Sequence, residues 1–156
     1  MRGLSDGYYT SAQVDSGLRH VYGPDTQLIA DGTYFVIEDD GAVVAAAGWS
    51  RRATLYGGDQ TKAGPDPLLD PARDPARIRA FYVAPSHARR GLGRQLLAHC
   101  AAAAGTEGFT MLELMATLPG VPLYEACGFT ALERIEPTQP DGVAIPFVRM
   151  QRAVRG

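Results

Sequence analysis

The chain has 156 residues, a formal net charge of -2 and two cysteines. That length suits one domain whose core needs no disulfide or metal staple. The absence of a long basic run argues against a nucleic-acid surface, and no apolar run is long enough to span a bilayer. Cys100 and Cys127 lie in apolar stretches without metal-ligand spacing and read as reduced thiols of a cytoplasmic protein.

Thr10 or Ser11 is placed to cap a helix running to about residue 21, with Val14, Leu18 and Val21 as its apolar stripe. Gly23-Pro24-Asp25 ends it. Residues 34–38 read as a strand, Asp39-Asp40-Gly41 as a hairpin turn, and 42–49 as the partner strand. Residues 51–76 are rich in Gly, Pro, Asp and Arg, too long for an ordinary connection and too short for a domain. A strand follows at 78–83, stopped by Pro85. Leu92, Leu96, Leu97, Cys100, Ala101 and Ala104 then mark one side of a helix closed by Gly105. Residues 111–116 are almost continuously apolar, as in a strand covered on both faces. A short helix at 121–126 stops at Gly128, and 129–135 and 143–150 read as two closing antiparallel strands.

The chemistry-bearing feature is a strand, a proline, a basic Gly-x-Gly turn and a helix. The first turn of a helix has unpaired backbone N–H groups and carries roughly half a positive charge. Gly91 and Gly93 let backbone approach a phosphate with no Cβ in the way. Arg89, Arg90 and Arg94 add forked donors. A pyrophosphate suits such a site. Taken alone, the turn reads equally well as a tight turn with a solvated basic rim. The chain has no Gly-Lys-Ser/Thr phosphate loop and does not open on a Rossmann unit.

Two anchors carry a resemblance. One is Val83-Ala84-Pro85 followed by His87-Ala88-Arg89-Arg90-Gly91-Leu92-Gly93-Arg94-Gln95-Leu96-Leu97. The other is Leu123-Tyr124-Glu125-Ala126-Cys127-Gly128-Phe129. With the order of elements around them, residues 34–150 resemble the GNAT superfamily of N-acetyltransferases. The resemblance implies an α/β fold, a mixed and mostly antiparallel twisted sheet with helices on both faces. Residues 1–156 would form a single acetyltransferase domain, with 51–76 a long loop on the acceptor side. Acetyl-CoA would be the co-substrate, its pyrophosphate on the backbone amides of Arg89, Arg90, Gly91, Leu92, Gly93 and Arg94. The strand ending at Val83 would splay from the one beginning near Met111. Backbone of Phe81, Tyr82 and Val83 would then meet the pantetheine arm and the acetyl carbonyl. Tyr124 would give a proton to the departing thiolate, and a small-molecule amine or a peptide would be the acceptor. Nucleic acid and membrane are not expected partners.

Three departures from the family pattern stand out. Ala88 replaces a usual Gln or Arg, and Thr117 stands where the family often has Asn. Too little sequence precedes Tyr34 for the usual opening strand and helices, so the first strand is expected to be absent or shortened. An edge left open invites a second copy, and a homodimer is expected.

Several residues carry two readings. Tyr124 is a proton donor or a core aromatic. Glu113, between Leu112 and Leu114, is a general base acting through water or the structural partner of an arginine. Trp49 and Tyr82 line an acceptor pocket or pack in the core, and Arg51 and Arg52 meet an anion or lie exposed. Asp39 reads as a solvated turn residue and His87 as a surface one. The alternative to catalysis is a non-catalytic acetyl-CoA sensor or assembly subunit.

Overall fold

The computed structural model of the chain describes residues 10–13, 26–53, 67–88 and 90–155. The Thr10 amide donates to the Gln13 side-chain oxygen at 3.0 Å, and the Gln13 amide donates to Thr10 Oγ1 at 3.1 Å. This reciprocal box opens a helical turn at 11–13. The rest of the expected first helix, with Val14, Leu18 and Val21, lies outside the described residues. Thr26–Asp31 forms a helix, α1, that the sequence pattern did not predict. Six residues make fewer than two turns, too few to display an apolar stripe.

Strands β1 (Tyr34–Asp39) and β2 (Ala42–Ser50) form the expected hairpin. Asp40 and Gly41 both hold positive φ, 50° and 78°, which matches the right-handed twist of the strands they join. Strand β3 is Ala76–Val83 and helix α2 is Leu92–Thr106. Helix α2 runs through Gly105, its expected end, where Val154 packs so closely that a Cβ would lie 3.1 Å from it. Strand β4 (Met111–Thr117), helix α3 (Val121–Ala126) and strands β5 (Thr130–Ile135) and β6 (Phe147–Ala153) complete the described fold. The last strand was expected at 143–150. Pro146 has no N–H for a ladder, so pairing starts after it and runs on to Ala153.

The six strands lie in the order β1-β2-β3-β4-β6-β5, and only β3 and β4 are parallel. The sheet is therefore mixed and mostly antiparallel, as expected. Among the described residues no strand pairs with the outer side of β1, so the family's usual first strand is not seen there.

Ala45, Ala47 and Trp49 of β2 face α2 and pack with Leu96, Leu97, Cys100 and Ala104. The alanines keep the sheet surface low, so the helix can approach closely. Helix α1 covers the opposite face: a Cβ on Gly48 would come within 2.7 Å of Leu28 Cδ1, and side chains alternate along a strand. Trp49 is 1% exposed and meets Phe109 edge-on at 5.9 Å, so it belongs to the core. No helix among the described residues is long and apolar enough to cross a membrane.

Arg51 and Arg52 are neither an exposed pair nor poised for an anion. Arg52 Nε donates to Asp31 Oδ2 at 2.8 Å, and Arg51 Nη2 donates to Glu107 Oε2 at 2.7 Å. The Arg52 hydrogen bond holds the Asp31 carboxyl below the usual range. Arg51 also stacks over the Trp49 ring at 5.2 Å. The two ends of the long loop are tied together, Leu69 N to Arg51 O at 2.7 Å and Ala53 N to Pro67 O at 3.0 Å. Residues 54–66 lie outside the described residues.

Strands β3 and β4 pair at only two positions, Ala76 with Leu112 and Arg77 with Glu113. Glu113 is 5% exposed and is held by two arginines. Arg77 pairs with one carboxylate oxygen, and Arg149 Nη1 donates to the other at 2.6 Å. Arg149 Nε reaches Glu133 Oε1 at 2.9 Å. Both carboxylate oxygens are occupied by guanidinium groups, and this geometry favours the structural reading of Glu113. Removing one member strands buried charge. Glu113→Ala should cost about 2–4 kcal/mol, the lower end reflecting the partial exposure of Arg149. Urea unfolding checks this, and the loss should exceed that of Glu133→Ala.

Candidate active site

Each part of the site follows from a local rule. Beyond Arg77 and Glu113, β3 and β4 diverge, so among the described residues β3 has no strand partner on its β4 side. The expected splay is present. It coincides with a feature the sequence did not announce. Between Ala46 and Gly48 the β2–β3 register slips: Ala46 faces Tyr82, while Gly48 faces Arg79. One extra residue on β3 makes a bulge, and Ala80 within it has φ 53°, a costly value for alanine. Bulges re-aim side chains and backbone groups where pairing ends. Here the bulge sits where β3 leaves β4. An alanine in a strand pattern gives no sign of this, because the left-handed conformation belongs to the register slip against β2 and not to the residue type.

After β3, Pro85–His87 forms a single 3-10 turn that leads into α2. Gly91 is the residue before the helix, with φ 81° and no side chain capping the open amides. Among the described residues, its chain neighbours apart, a Cβ there would meet no atom within 4 Å. Gly93 has a different role. A Cβ on it would lie 2.8 Å from the Phe81 ring and 3.1 Å from Leu123 Cδ2. Glycine lets the first turn of α2 rest directly on β3 and α3. Gly91 is thus the turn residue and Gly93 the contact residue. Leu92 is half-buried, and Arg90 and Arg94 are exposed at the rim. Arg89 lies outside the described residues.

Tyr124 stands on α3, which Pro122 starts and Gly128 ends. Its ring meets Phe81 of β3 edge-on at 5.5 Å and Phe129 at 5.8 Å. The tyrosine therefore bridges the side of the splay held by β3 and the side held by α3. Burial, with Cys127 nearby, pushes its phenol above the ordinary range. It stays protonated at neutral pH, the form a proton donor needs. Thr117 closes β4 beneath it, its hydroxyl beside Gly120, where a Cβ would also crowd the Tyr124 ring at 3.0 Å. Gly120 keeps that approach open.

The structure thus brings together Phe81, Gly93, Leu123 and Tyr124, with Gly91 beside them in sequence. Val83 is bound to β2 opposite Ala45, and Tyr82 is 43% exposed, so Tyr82 is not a core residue. Glu113 is at the closed root of the splay, while Tyr124 is packed against Phe81 nearer its open end. Cys100 is buried, which pushes its thiol up to about 12, so it is no ready nucleophile. Among the described residues, no group of three or more His, Cys, Asp or Glu could hold a metal ion.

Known proteins share this architecture. A GCN5-related N-acetyltransferase from Rhodopseudomonas palustris superposes with a TM-score of 0.67 at 18% identity, covering 97% of this chain and 81% of that one. The acetyltransferase yncA of Salmonella typhimurium, solved with its cofactor acetyl-CoA, gives 0.57 at 21% identity over 78% of this chain and 64% of its own. A phosphinothricin acetyltransferase from Sinorhizobium meliloti, in complex with acetyl-CoA, gives 0.59 at 21% identity over 82% of this chain and 64% of its own. The chain therefore spans just under two thirds of the length of the last two. No curated protein matches the sequence significantly. The sequence itself matches the profile of the acetyltransferase (GNAT) family over residues 5–129, most of its length, and the chain belongs to that family.

Proposed function

We propose that the chain transfers the acetyl group of acetyl-CoA to the nitrogen of a small-molecule amine or a peptide, by direct attack of the neutral amine on the thioester. The observation that supports this most is the meeting of three features within one side chain's reach: an uncapped helix start at Gly91–Gly93, a strand β3 left unpaired toward β4, and buried Tyr124 against Phe81. The solved relatives bound to acetyl-CoA support the same co-substrate.

In this reading the diphosphate lies on the backbone amides from Arg89 to Arg94, where the helix dipole and the rim arginines favour an anion. The pantetheine arm runs along the open side of β3 at Phe81, Tyr82 and Val83. A backbone N–H of that segment holds the oxyanion, as preorganised donors do in acyl transfer. Tyr124 gives its proton to the departing sulfur as the C–S bond breaks, and the proton shed by the amine nitrogen restores the phenol. A thiol of free pKa about 8.5 is itself a good leaving group, so the step asks little of the acid. Residues 1–156 act as one unit in the cytoplasm, with 51–76 on the acceptor side. A second reading, a non-catalytic acetyl-CoA sensor or assembly subunit, is favoured by one observation: Glu113, the base candidate from sequence, is taken up by Arg77 and Arg149. Thiol release measured over a panel of amines separates the two. Transfer to at least one amine is expected. Tight CoA binding by calorimetry, with no thiol release for any amine, would leave the sensor.

Gly91→Val should weaken CoA binding at least about tenfold, because it puts a branched side chain both at positive φ and into the proposed cradle. Calorimetry checks it, with circular dichroism to show that the fold is kept; unchanged affinity would move the diphosphate elsewhere. Tyr124→Phe should lower kcat at least about tenfold and leave the KM for acetyl-CoA nearly unchanged, since the hydroxyl acts only in the transition state. Wild-type turnover in this variant would remove Tyr124 from the mechanism.

The outer strand β1 exposes Tyr34 and Val36, 37% and 46%, beside a hollow lined by Gln95 and His99 of α2. We propose that a second copy covers this edge, since unpaired edges invite pairing. Light scattering at micromolar concentration should give a dimer that Val36→Lys shifts to monomer.

A further inference from the structure

The sequence left Asp39 as a solvated turn residue and His87 as a surface one, yet the fold joins them across 48 residues. His87 Nε2 lies 2.8 Å from Asp39 Oδ2, and His87 Nδ1 lies 2.8 Å from Ser86 Oγ. Asp39 ends β1 at the hairpin tip, and His87 ends the 3-10 turn before the Gly91 helix start. A backbone bond runs beside the side-chain one: Ala84 N donates to Val44 O at 2.8 Å. That bond carries the β2–β3 ladder, in which Ala46 faces Tyr82 and Ala45 faces Val83, one residue further. The hairpin thus grips the 84–87 turn at both of its ends.

We propose that Asp39 and His87 form a latch that positions the cofactor turn, so that the amides following it point at the diphosphate. The inference rests on the acetyl-CoA reading above. It assigns a positioning role to Asp39, outside both anchor segments, and to His87, ahead of the glycine turn in one of them, neither of which need touch the cofactor. The latch does not depend on one protonation state. A neutral imidazole donates from Nε2 to Asp39 and accepts at Nδ1 from the Ser86 hydroxyl; an imidazolium donates to both.

Electrostatics gives the proposal a sign. Asp39 carries negative charge on the hairpin that grips the cofactor turn, so by Coulomb's law alone its removal would strengthen binding of an anion. A latch predicts the opposite. Asp39→Ala and His87→Ala should each raise the Kd for CoA about three- to fivefold, the size expected of a partly exposed pair. Both should leave kcat within about twofold of wild type, a split that a loss of catalytic chemistry would not give. The double variant should be no worse than either single one, because the two act as a unit. Asp39→Asn, which can still accept from Nε2, should restore most of the affinity, whereas Asp40→Asn should not weaken binding. In the protein without ligand, the His87 and Ala88 amides, bonded to Ala84 O and Pro85 O, should exchange with deuterium faster in Asp39→Ala. Unchanged or tighter CoA binding by Asp39→Ala, additive losses, or unchanged exchange would each overturn the latch. If those occur while the wild type binds CoA, the acetyl-CoA reading stands and only the latch falls. A wild type that binds no CoA overturns both.

Discussion

Two adjacent strands that pair for two residues and then part impose the main constraint on this molecule. Parallel strands normally run together and exchange bonds along their length. Here Ala76 and Arg77 meet Leu112 and Glu113, and pairing ends. The root of that wedge needs reinforcement, because so short a ladder offers little. Glu113 supplies it. Its two oxygens take Arg77 from β3 and Arg149 from β6, which links three neighbouring strands through one buried carboxylate. Burying that charge is tolerable only because both oxygens are paired.

The open end of the wedge is shaped by close contacts rather than by charge. Gly93 lets the first turn of α2 rest on Phe81 and Leu123, and Phe81 in turn meets the Tyr124 ring. The bulge at Ala80 aims this part of β3 and takes the strand off the regular ladder. Backbone strain of this kind persists only where the surroundings over-determine it. Alanine at φ 53° lies exposed there, within the register slip against β2. The helix start, the aromatic contact and the unpaired strand are thus consequences of one divergence.

A second set of ties fixes the sheet's periphery. Asp31 of α1 and Glu107, just past the end of α2, both reach the arginines that follow β2, so helices on opposite faces are joined through one segment. Asp39 and His87 do the same between the hairpin tip and the turn before α2. Each joins elements far apart in sequence, and each occupies an acidic or basic residue that local composition would assign to solvent.

Much of the architecture was legible from residues alone. The Asp-Gly hairpin, the apolar face of α2, the covered strand β4 and the Gly128 stop follow from periodicity and turn chemistry, which act over a few residues. The two anchor segments, 83–97 and 123–129, with the order of elements around them, carried the family resemblance, and the splay came with it. Other features were hidden because their causes are not local. Helix α1 is too short to show a period, and Gly105 reads as a helix end until Val154 packs against it. The bulge at Ala80 leaves no mark on an ordinary strand sequence. Glu113 could be read as a base or as a strut, since the choice depends on whether arginines 36 residues away on either side reach it, as they do. The sequence by itself determined the elements and the helix-start chemistry, because these depend on neighbours in the chain. Only the tertiary structure decided which charges pair and where β3 leaves its partner, because those depend on residues brought together by the sheet.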